Sequence, residues 1–592
     1  MPLASRAPFP LGDTPVGADI APPNLPEGGW EMPDDPKKHI SKLDEWMAEA
    51  KAAKTTIEGR WDSAQKYYDG DWATHWSDFT FEQEWTKPNA VTLNLFKQAV
   101  NVILPVLLGS QPTIYVSASN PQEDEVAMGI QEYIQGIAYE NDIQRDLVRV
   151  YRNAMVRGFG CMKVFWDKTW FHTATPFSDD MGTGRARMCY LNPYSVFPDP
   201  NAEKMEDCQY LFLRNTYDAE MLNIVYPWAD LRFMDHEESG DRRRAFGQPS
   251  QLGDPRYQVW ECYHDFGAKL TIYSGKEIIW HGDNPTPFLQ FPLVTFTPEE
   301  RDEDIYGTSW WDGGGRDLHR NINYWLWKIN CHMHLAGNPQ YLHIGAGNLV
   351  PDTRPGGIWT IKNANPQTAT VMPLRTDELP GYTMGMLDFY LSRWQLLTGV
   401  TPTTQGAREP GIRSGIQQSQ ALQASQTVIQ NAVGSFAISL AKGAQMLLDL
   451  IAAHGEGQLS SSQVVGEKAV SSSVDVEQMR HVDGVPHRFQ VLIGPNSDIP
   501  MSQDTINQLT MALTPLGAVD AEGALMATRY PFRQGILKRM REAAQANAAQ
   551  AQTEATVAGM REQVERQKQE EMIAGQQTQM EQMPVEAEAP PE

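Results

Sequence analysis

The stretch LHRNINYWLWKINCHMHLAGN, residues Leu318–Asn338, predicts a helix in the central part of the chain. Apolar residues recur along it at steps of three and four, which is the pattern of an amphipathic helix. This stripe consists of Leu318, Ile322, Trp325, Ile329 and Met333. Tyr324, Leu326 and Trp327 add apolar surface outside the stripe. A helix that is apolar on several sides needs packing partners on several sides.

The same stretch contains His319, Cys331, His332 and His334, which are residue types that bind zinc. Successive helical residues are rotated by about 100°, so His332 and His334 point to nearly opposite faces and cannot share an ion. Cys331 and His334 could share one, but two ligands leave a zinc site incomplete. Protonated histidines near the helix C-terminus would also suit the helix dipole. We therefore predict no metal and no cofactor.

Composition indicates a folded, acidic protein. The 592 residues suffice for about four domain-sized units, and 41% are hydrophobic. The net charge of −25 argues against a conventional nucleic-acid-binding protein, although an acidic surface can face DNA that must slide. Five scattered cysteines without a CxxC pair predict free thiols in a reducing compartment. The apolar segment Val100–Gly109 is too short to span a membrane and contains Pro105, so we predict no membrane contact.

Periodicity predicts an α+β fold. Helical patterns cover 36–68, 88–108 and 124–157. From residue 161 to about 297 the period is two, and short apolar runs alternate with turn residues. The runs are CMKVFWD, RMCYLN, YLFLRN, YQVWECYHDF, KLTIYSG, KEIIWHG and FPLVTFT. The polar insert 237–251 is predicted to be a surface loop. Helices followed by strands and further helices indicate a mixed domain.

A helical hairpin with a small β module at its tip follows. The runs QYLHIGAG, GGIWTIK and TATVMPLR predict three strands after the helix quoted above. A second helix is predicted over 381–397, with its apolar face formed by Met384, Leu387, Leu391, Trp394 and Leu397. The loop TGVTPTTQGAREPGIRSG comes next and is rich in Gly, Pro and Thr.

A long helix is predicted over Ser414–Ala453. Its stripe is Leu422, Ile429, Val433, Phe436, Leu440, Leu447 and Ile451. No charged residue occurs between Arg413 and Lys442, which predicts that the outer face is covered by other copies of the chain or a neighbouring subunit. A serine-rich loop, the strand HRFQVLIG and a polar C-terminal helix are predicted beyond it.

No catalytic motif is present in the sequence. P-loop, HExxH, GxSxG and EF-hand patterns are all missing. The glycine run before Arg316 could cradle a phosphate, but a flexible entry into the helix is the favoured interpretation. Asp302 and Asp304 lie in a charged turn without a nearby base or apolar pocket. We predict that the protein is not an enzyme and has no catalytic residues.

The segment FPLVTFTPEERDEDIYGTSWWDGGGRDLHRNIN resembles the approach to the stem in tailed-bacteriophage portal proteins of podovirus-like type. It contains a strand, a charged turn, a Tyr-Gly-Thr-Ser step and a helix with Asp317, Arg320 and Asn321. The segments RWDSAQKYYDGDW, ENDIQRDLVRVYRNAMVRGFGCMKVFWD, NPYSVFPDPNA and TGVTP resemble portal segments in the same order. The resemblance covers about 51–513.

This resemblance implies a homo-oligomeric ring, a dodecamer, at one capsid vertex of the virion, assembled in the host cytoplasm. Double-stranded DNA would pass through its channel during packaging and ejection. The partners would be the terminase large subunit, the head-to-tail adaptor, and the major capsid and scaffold proteins. Three alternatives stay open: another ring-forming head or collar protein, a metal-dependent enzyme using Cys331, His332 and His334, and a cellular enzyme with a hidden site.

The resemblance also implies a portal-like α+β subunit with a mixed wing, a two-helix stem, a small β-rich clip and a helical crown. The parts are 1–36 flexible N-terminal arm, 37–314 wing of helices and antiparallel strands, 315–336 first stem helix, 337–380 clip, 381–398 second stem helix, 399–413 tunnel loop, 414–453 long wing helix, 454–531 wing and crown, 532–580 crown or barrel helix, and 581–592 acidic tail.

Two sets of functional residues follow from this division. In the tunnel loop, Arg408 and Arg413 are predicted to lie nearest the DNA, with Thr403, Thr404 and Gln405 as neutral contacts; the alternative is that the arginines pair with acidic residues of an adjacent loop. The oligomer interface is predicted to include Trp325, Trp327, Trp394, Leu422, Ile429 and Phe436. A channel without a strongly positive wall avoids the counterion-release affinity that would stall moving DNA.

Overall fold

The computed structural model describes most of the chain between residues 32 and 493. The described residues are 32–71, 76, 91–109, 114–120, 123–167, 184–235, 256–288, 291–302, 304–310, 312, 315–345, 354–362, 370–374, 378–401, 429–465, 468–480, 489–493, Thr510, Thr514, Ala524 and Arg566. Residues 1–463 and 469–501 form one compact unit, and 464–468 with 502–592 form a second, of which few residues are described. The helices and strands described below belong to the first unit, except for the few strand residues that fall within 464–468.

Four helices come first: α1 (Pro36–Asp69), α2 (Leu95–Gly109), α3 (Asp124–Glu140) and α4 (Ile143–Arg157). The Asp35 side chain caps α1 by accepting from the Lys38 N–H, and Gly70 ends the helix at a φ of 79°. The prediction of one continuous helix over 124–157 is wrong. Asp142 has a φ of 51°, which lies outside the right-handed helical region and separates α3 from α4.

Two antiparallel sheets form the first half of the fold. Their elements are β2 (Gly160–Asp167), β3 (Arg185–Leu191), β4 (Val196–Pro198), β5 (Leu211–Asp218), α5 (Ala219–Val225), β6 (Arg256–His264), β7 (Lys269–Ser274), β8 (Glu277–Asp283) and β9 (Leu293–Phe296). The three-stranded sheet has the order β3-β2-β9, and the five-stranded sheet has the order β4-β5-β6-β7-β8. The predicted α+β class is confirmed.

A helical hairpin occupies the middle of the chain, between residues 315 and 398. It consists of α6 (Gly315–Gly337), β10 (Tyr341–Gly345), β11 (Ile358–Lys362), β12 (Thr370–Pro373) and α7 (Tyr382–Thr398). β10 lies in the centre of the small sheet, parallel to β11 and antiparallel to β12. The two helices lie within one or two residues of the positions that periodicity predicts.

The last described part contains α8 (Gln430–His454), β13 (Gln458–Val465), β14 (Lys468–Asp475), α9 (Val476–Met479) and β15 (Phe489–Ile493). The prediction of a serine-rich loop after His454 is wrong, since β13 and β14 pair with each other there. Ser461 is buried and donates to the Tyr133 carbonyl at 3.2 Å. A Cβ on Gly136 of α3 would collide with the Ser461 side chain, so α3 and β13 approach each other closely. β15 pairs antiparallel with β1 (Ile114–Ala118).

The main core joins α2, α3, α4, the three-stranded sheet and α8. α1 packs across the five-stranded sheet through Leu43, Met47 and Ala50. Of the described helices, only α8 is long and apolar enough to cross a membrane, but 61% of its most apolar window is buried inside the protein. That burial is typical of a core helix.

Candidate functional site

The buried face of α6 differs from the predicted stripe. The residues that the chain buries are Gly315, His319, Ile322, Asn323, Trp327 and Cys331. Of the predicted stripe only Ile322 is buried, and Met333 is 63% exposed. Leu318, Trp325 and Ile329 are partly buried and pack against the main core. Apolar spacing therefore predicts the helix and much of its inward face, but it does not show that His319 and Asn323 are also buried there.

These two polar residues fasten α6 to the beginning of α2. Asn323 Oδ1 accepts from the Leu93 N–H at 2.7 Å, and His319 Nε2 lies 2.8 Å from the Leu93 carbonyl oxygen and 3.2 Å from the Leu95 nitrogen. His319 is 0% exposed. Backbone groups at a helix N-terminus lack partners within the helix, so buried side chains that pair with them stabilise the junction. His319 is a structural residue in this position.

α7 packs against α6 through a narrow face. Thr383, Leu387, Trp394 and Thr398 are buried, and the Trp394 ring lies 5.8 Å from the His319 ring between centroids. Met384 and Leu397 of the predicted stripe are exposed instead. The exposed surface of α7 includes several large apolar side chains beside the polar residues Asp388, Ser392 and Arg393.

Exposed apolar side chains are concentrated on the helical hairpin. Ten of the twenty-one large hydrophobic residues that are exposed in the described part of the chain lie between residues 333 and 397. They are Met333, Tyr341, Ile358, Val371, Met372, Tyr382, Met384, Phe389, Leu396 and Leu397. Large exposed apolar side chains grouped in one part of a protein are typical of interaction sites. The hairpin is therefore the strongest candidate for contact with other chains.

The helix α8, which has no charged residue before Lys442, is covered largely by its own chain. Phe436 stacks on Tyr151 with ring centroids 4.6 Å apart, and Ser435 Oγ donates to the Thr297 carbonyl at 2.7 Å. A Cβ on Gly443 would meet Met188 Sδ at 2.8 Å, so the helix passes very close to β3. Burial within the chain accounts for part of the missing charge in the described residues 430–441. Cover by other copies of the chain stays a prediction.

A family model for phage P22-like portal proteins matches residues 44–272 and 266–590, which is most of the chain. The chain belongs to the P22-like phage portal protein family. No curated protein matches the chain. Membership implies a phage portal, a virion component at the capsid that forms a ring-shaped oligomer in the phage head. Proteins of this family are generally structural and not enzymatic.

The predicted interface residues of the portal protein occupy different environments. Trp327, Trp394, Ile429 and Phe436 are 9%, 5%, 2% and 2% exposed in the single chain, so contacts within the chain account for their burial. Trp325 is partly buried. Leu422 lies outside the described residues, as do Thr403, Thr404, Gln405, Arg408 and Arg413. Their roles stay predictions, and the exposed apolar residues of the hairpin are the interface candidates that helical periodicity missed.

The portal protein brings together one group of possible metal ligands that sequence analysis missed. Cys331 is buried and His334 is exposed, and neither belongs to it. Among the described residues, only His39, His264 and His281 place three ligand atoms within 4.8 Å of one another. No local motif signals this group, because His39 is separated from the other two by more than two hundred residues.

Several predicted parts of the chain lie largely outside the described residues. These are the N-terminal arm up to residue 31, the insert 237–251, residues 402–413 of the tunnel loop, residues 414–428 of the long helix, and 532–592 apart from Arg566.

Proposed function

We propose that this portal protein assembles as a dodecameric ring at one capsid vertex and conducts double-stranded DNA into and out of the head. The observation that supports this most strongly is the apolar, uncovered surface of the helical hairpin. A hairpin that leaves Phe389 48% and Leu396 67% exposed is incomplete as a single chain. In a ring, each copy covers the exposed face of its neighbour, and closure of the ring leaves no copy uncovered.

The hairpin supplies the stem in this proposal. α7 carries exposed apolar residues on more than one side, at Tyr382, Met384 and Phe389 as well as at Leu396 and Leu397. Parallel hairpins arranged around a ring axis would bury these side chains on both flanks. Charges repeated at equivalent positions would repel one another, so apolar contacts suit a repeated interface.

The small sheet at the hairpin tip supplies the clip, where the terminase large subunit and later the head-to-tail adaptor dock. β10 lies between β11 and β12, so these two are the outer strands of the sheet among the described residues. Outer strands offer backbone groups for pairing with another chain. The sheet also exposes Ile358, Val371 and Met372 by 53%, 61% and 42%. Open edges with apolar side chains are suited to binding a partner segment.

The loop after α7 provides the DNA contacts in this proposal. Arg408 and Arg413 are the positive groups, with Thr403, Thr404 and Gln405 beside them, in a chain whose net charge is −25. A few cations per subunit contact the phosphates without the affinity that a continuous basic wall would create. Assembly takes place in the host cytoplasm together with the major capsid and scaffold proteins.

Mass measurement and imaging of the purified full-length protein test the ring. We expect closed rings with a central hole and a mass near twelve chains. A stable monomer, also in the presence of capsid and scaffold proteins, would contradict the proposal. Replacement of both Arg408 and Arg413 by Ala tests the DNA contacts separately, since rings should still form while genome packaging and retention decline. Unchanged packaging and retention would refute the DNA contacts and leave the ring intact.

A further inference from the structure

Three histidines from distant parts of the chain converge on the hydroxyl of Thr271. His39 lies in α1, His264 at the end of β6 and His281 in β8. Their ring nitrogens lie close to Thr271 Oγ1: His39 Nε2 at 3.2 Å, His264 Nε2 at 3.0 Å and His281 Nδ1 at 2.8 Å. The facing ligand atoms all lie within 4.8 Å of one another.

One of the three rings is buried and has a carboxylate beside it. His264 is 4% exposed. Asp265 Oδ2 lies 3.4 Å from His264 Nδ1, on the side of the ring opposite the cluster. A carboxylate at this position holds the proton on Nδ1 and directs the Nε2 lone pair inward, as partners of metal-binding histidines commonly do.

Hydrogen bonding alone offers a second account of the cluster. A threonine hydroxyl has one proton and two lone pairs, so it can serve three ring nitrogens by donating to one and accepting from two N–H groups. That arrangement needs one exact set of tautomers for His39 and His281. Lys42 and Lys269 also lie close enough to lower the pKa of His39, and their charges oppose a nearby cation. Ammonium groups on flexible side chains can move outward into solvent, whereas the three imidazoles remain directed at one point.

We propose that His39, His264 and His281 bind a divalent transition-metal ion of the zinc type, with Thr271 or water as the fourth ligand. Imidazole nitrogens suit zinc, and three protein ligands with one further position form a complete tetrahedral shell. Zinc–nitrogen bonds of about 2.05 Å set the nitrogens about 3.3 Å apart, so the rings draw together when the ion binds. His39 is only partly buried, which leaves a route of entry.

The ion would fasten the first turns of α1 to the edge of the five-stranded sheet. β8 is an outer strand of that sheet, and α1 lies across the sheet through Leu43, Met47 and Ala50. Further along α1, Lys54 Nζ donates to the carbonyls of Pro193 and Val196 at 2.9 and 2.6 Å. The histidine cluster thus supplies a second attachment nearer the beginning of the helix. This inference does not depend on the portal role.

Metal content of the full-length protein, prepared without a histidine tag, tests the site. The protein is stripped with a chelator, exposed to Zn²⁺ alone, dialysed and analysed for bound zinc. We expect one zinc per chain, and at least about tenfold weaker binding in His39→Ala and in His281→Ala. His334→Ala is the matched control, since it removes an exposed histidine outside the cluster and should retain the zinc.

Thermal unfolding separates loss of the site from loss of the fold. Zn²⁺ should raise the unfolding temperature of the wild-type protein and of His334→Ala but not that of His39→Ala. Circular dichroism before zinc addition checks that the variants are folded. Absence of zinc from the wild-type protein, or equal zinc in His39→Ala, His281→Ala and wild type, would overturn the proposal. Either result would support the hydroxyl-centred hydrogen-bond cluster instead.

Discussion

Lys163 Nζ lies 2.8 Å from Glu261 Oε2, and this ion pair joins the two main sheets in a region where the side chains are 1% and 0% exposed. Lys163 belongs to β2 and Glu261 to β6. Glu261 also accepts from Asn215 Nδ2 at 2.8 Å and from the Tyr263 hydroxyl at 3.2 Å. Buried charges are tolerated when they are paired and hydrogen-bonded in this way.

Lys163→Met should lower the free energy of unfolding by about 3–5 kcal/mol, because it leaves the Glu261 carboxylate buried without its cation. Lys163→Met combined with Glu261→Gln should recover part of the loss, since no net charge then remains buried. Urea denaturation measures both effects. Lys442→Met is the control: this lysine pairs with Glu206 at 2.7 Å, but the side chains are 34% and 58% exposed, so the cost should stay below about 1 kcal/mol. Equal costs for Lys163→Met and Lys442→Met would contradict the argument.

Asn323→Leu should destabilise the junction between α6 and α2 by about 1–3 kcal/mol, since the Leu93 N–H then loses its acceptor. Hydrogen exchange at the beginning of α2 should become faster. Asn321→Leu provides the comparison, because Asn321 is an exposed residue of the same helix and should change stability by less than about 0.5 kcal/mol. Equal exchange rates in the two variants would show that the hydrogen bond does not hold the junction.

Gly158→Ala should destabilise the protein by more than about 1 kcal/mol. Gly158 has a φ of 86°, a backbone conformation that residues with a side chain rarely adopt. A Cβ at this position would also lie only 2.8 Å from backbone atoms of Thr308 and Ser309. Gly129→Ala should be neutral or stabilising by up to about 1 kcal/mol, since it lies inside α3 with no atom within 4 Å of the new Cβ. Thermal denaturation of both variants measures these opposite effects on stability. A Gly158→Ala protein as stable as wild type would refute the close approach.

Leu396→Glu should prevent ring assembly without unfolding the chain. Leu396 is 67% exposed on α7, so the charge costs little in the single chain but would be buried between hairpins in the ring. Met128→Glu is the matched control, with an exposed side chain of 60% on α3. Mass measurement and imaging report assembly, and circular dichroism reports folding. Normal rings from Leu396→Glu would exclude this face of α7 from the interface.

The five cysteines should react with a thiol reagent only after denaturation. Cys161, Cys208, Cys262 and Cys331 are buried, and Cys189 is half-buried. Burial raises the pKa of Cys189 to about 11 and that of Cys208 to about 12, so the reactive thiolate is scarce at neutral pH. Five thiols should titrate in denaturant, and the native protein should react much more slowly. One rapidly reacting thiol in the native protein would contradict this expectation.

Local patterns predict much of the fold correctly. The steps of three and four in Leu318–Asn338 and in 381–397 place α6 and α7, and the period of two places β5 to β9. These patterns depend on residues within one or two turns of each other, which a sequence displays directly. The order of the portal-like segments then identifies the family, as the match over 44–272 and 266–590 confirms.

Other features depend on contacts between distant segments. The inward face of α6 includes His319 and Asn323, and apolar spacing cannot show their bonds to Leu93 and Leu95. The positive φ of Asp142 separates α3 from α4. β13 is rich in serine and lies close to α3, where Ser461 meets Gly136.

The α+β class, the positions of most helices and strands, and the family can be predicted from the amino-acid sequence, because they depend on periodicity and segment order. The contacts between distant residues, and the polar side chains that these contacts bury, become visible only in the folded chain. Lys163 and Glu261 are 98 residues apart, and His39 and Thr271 are 232 apart. Local sequence patterns do not reveal such long-range contacts, because these contacts form only when helices and strands pack against each other.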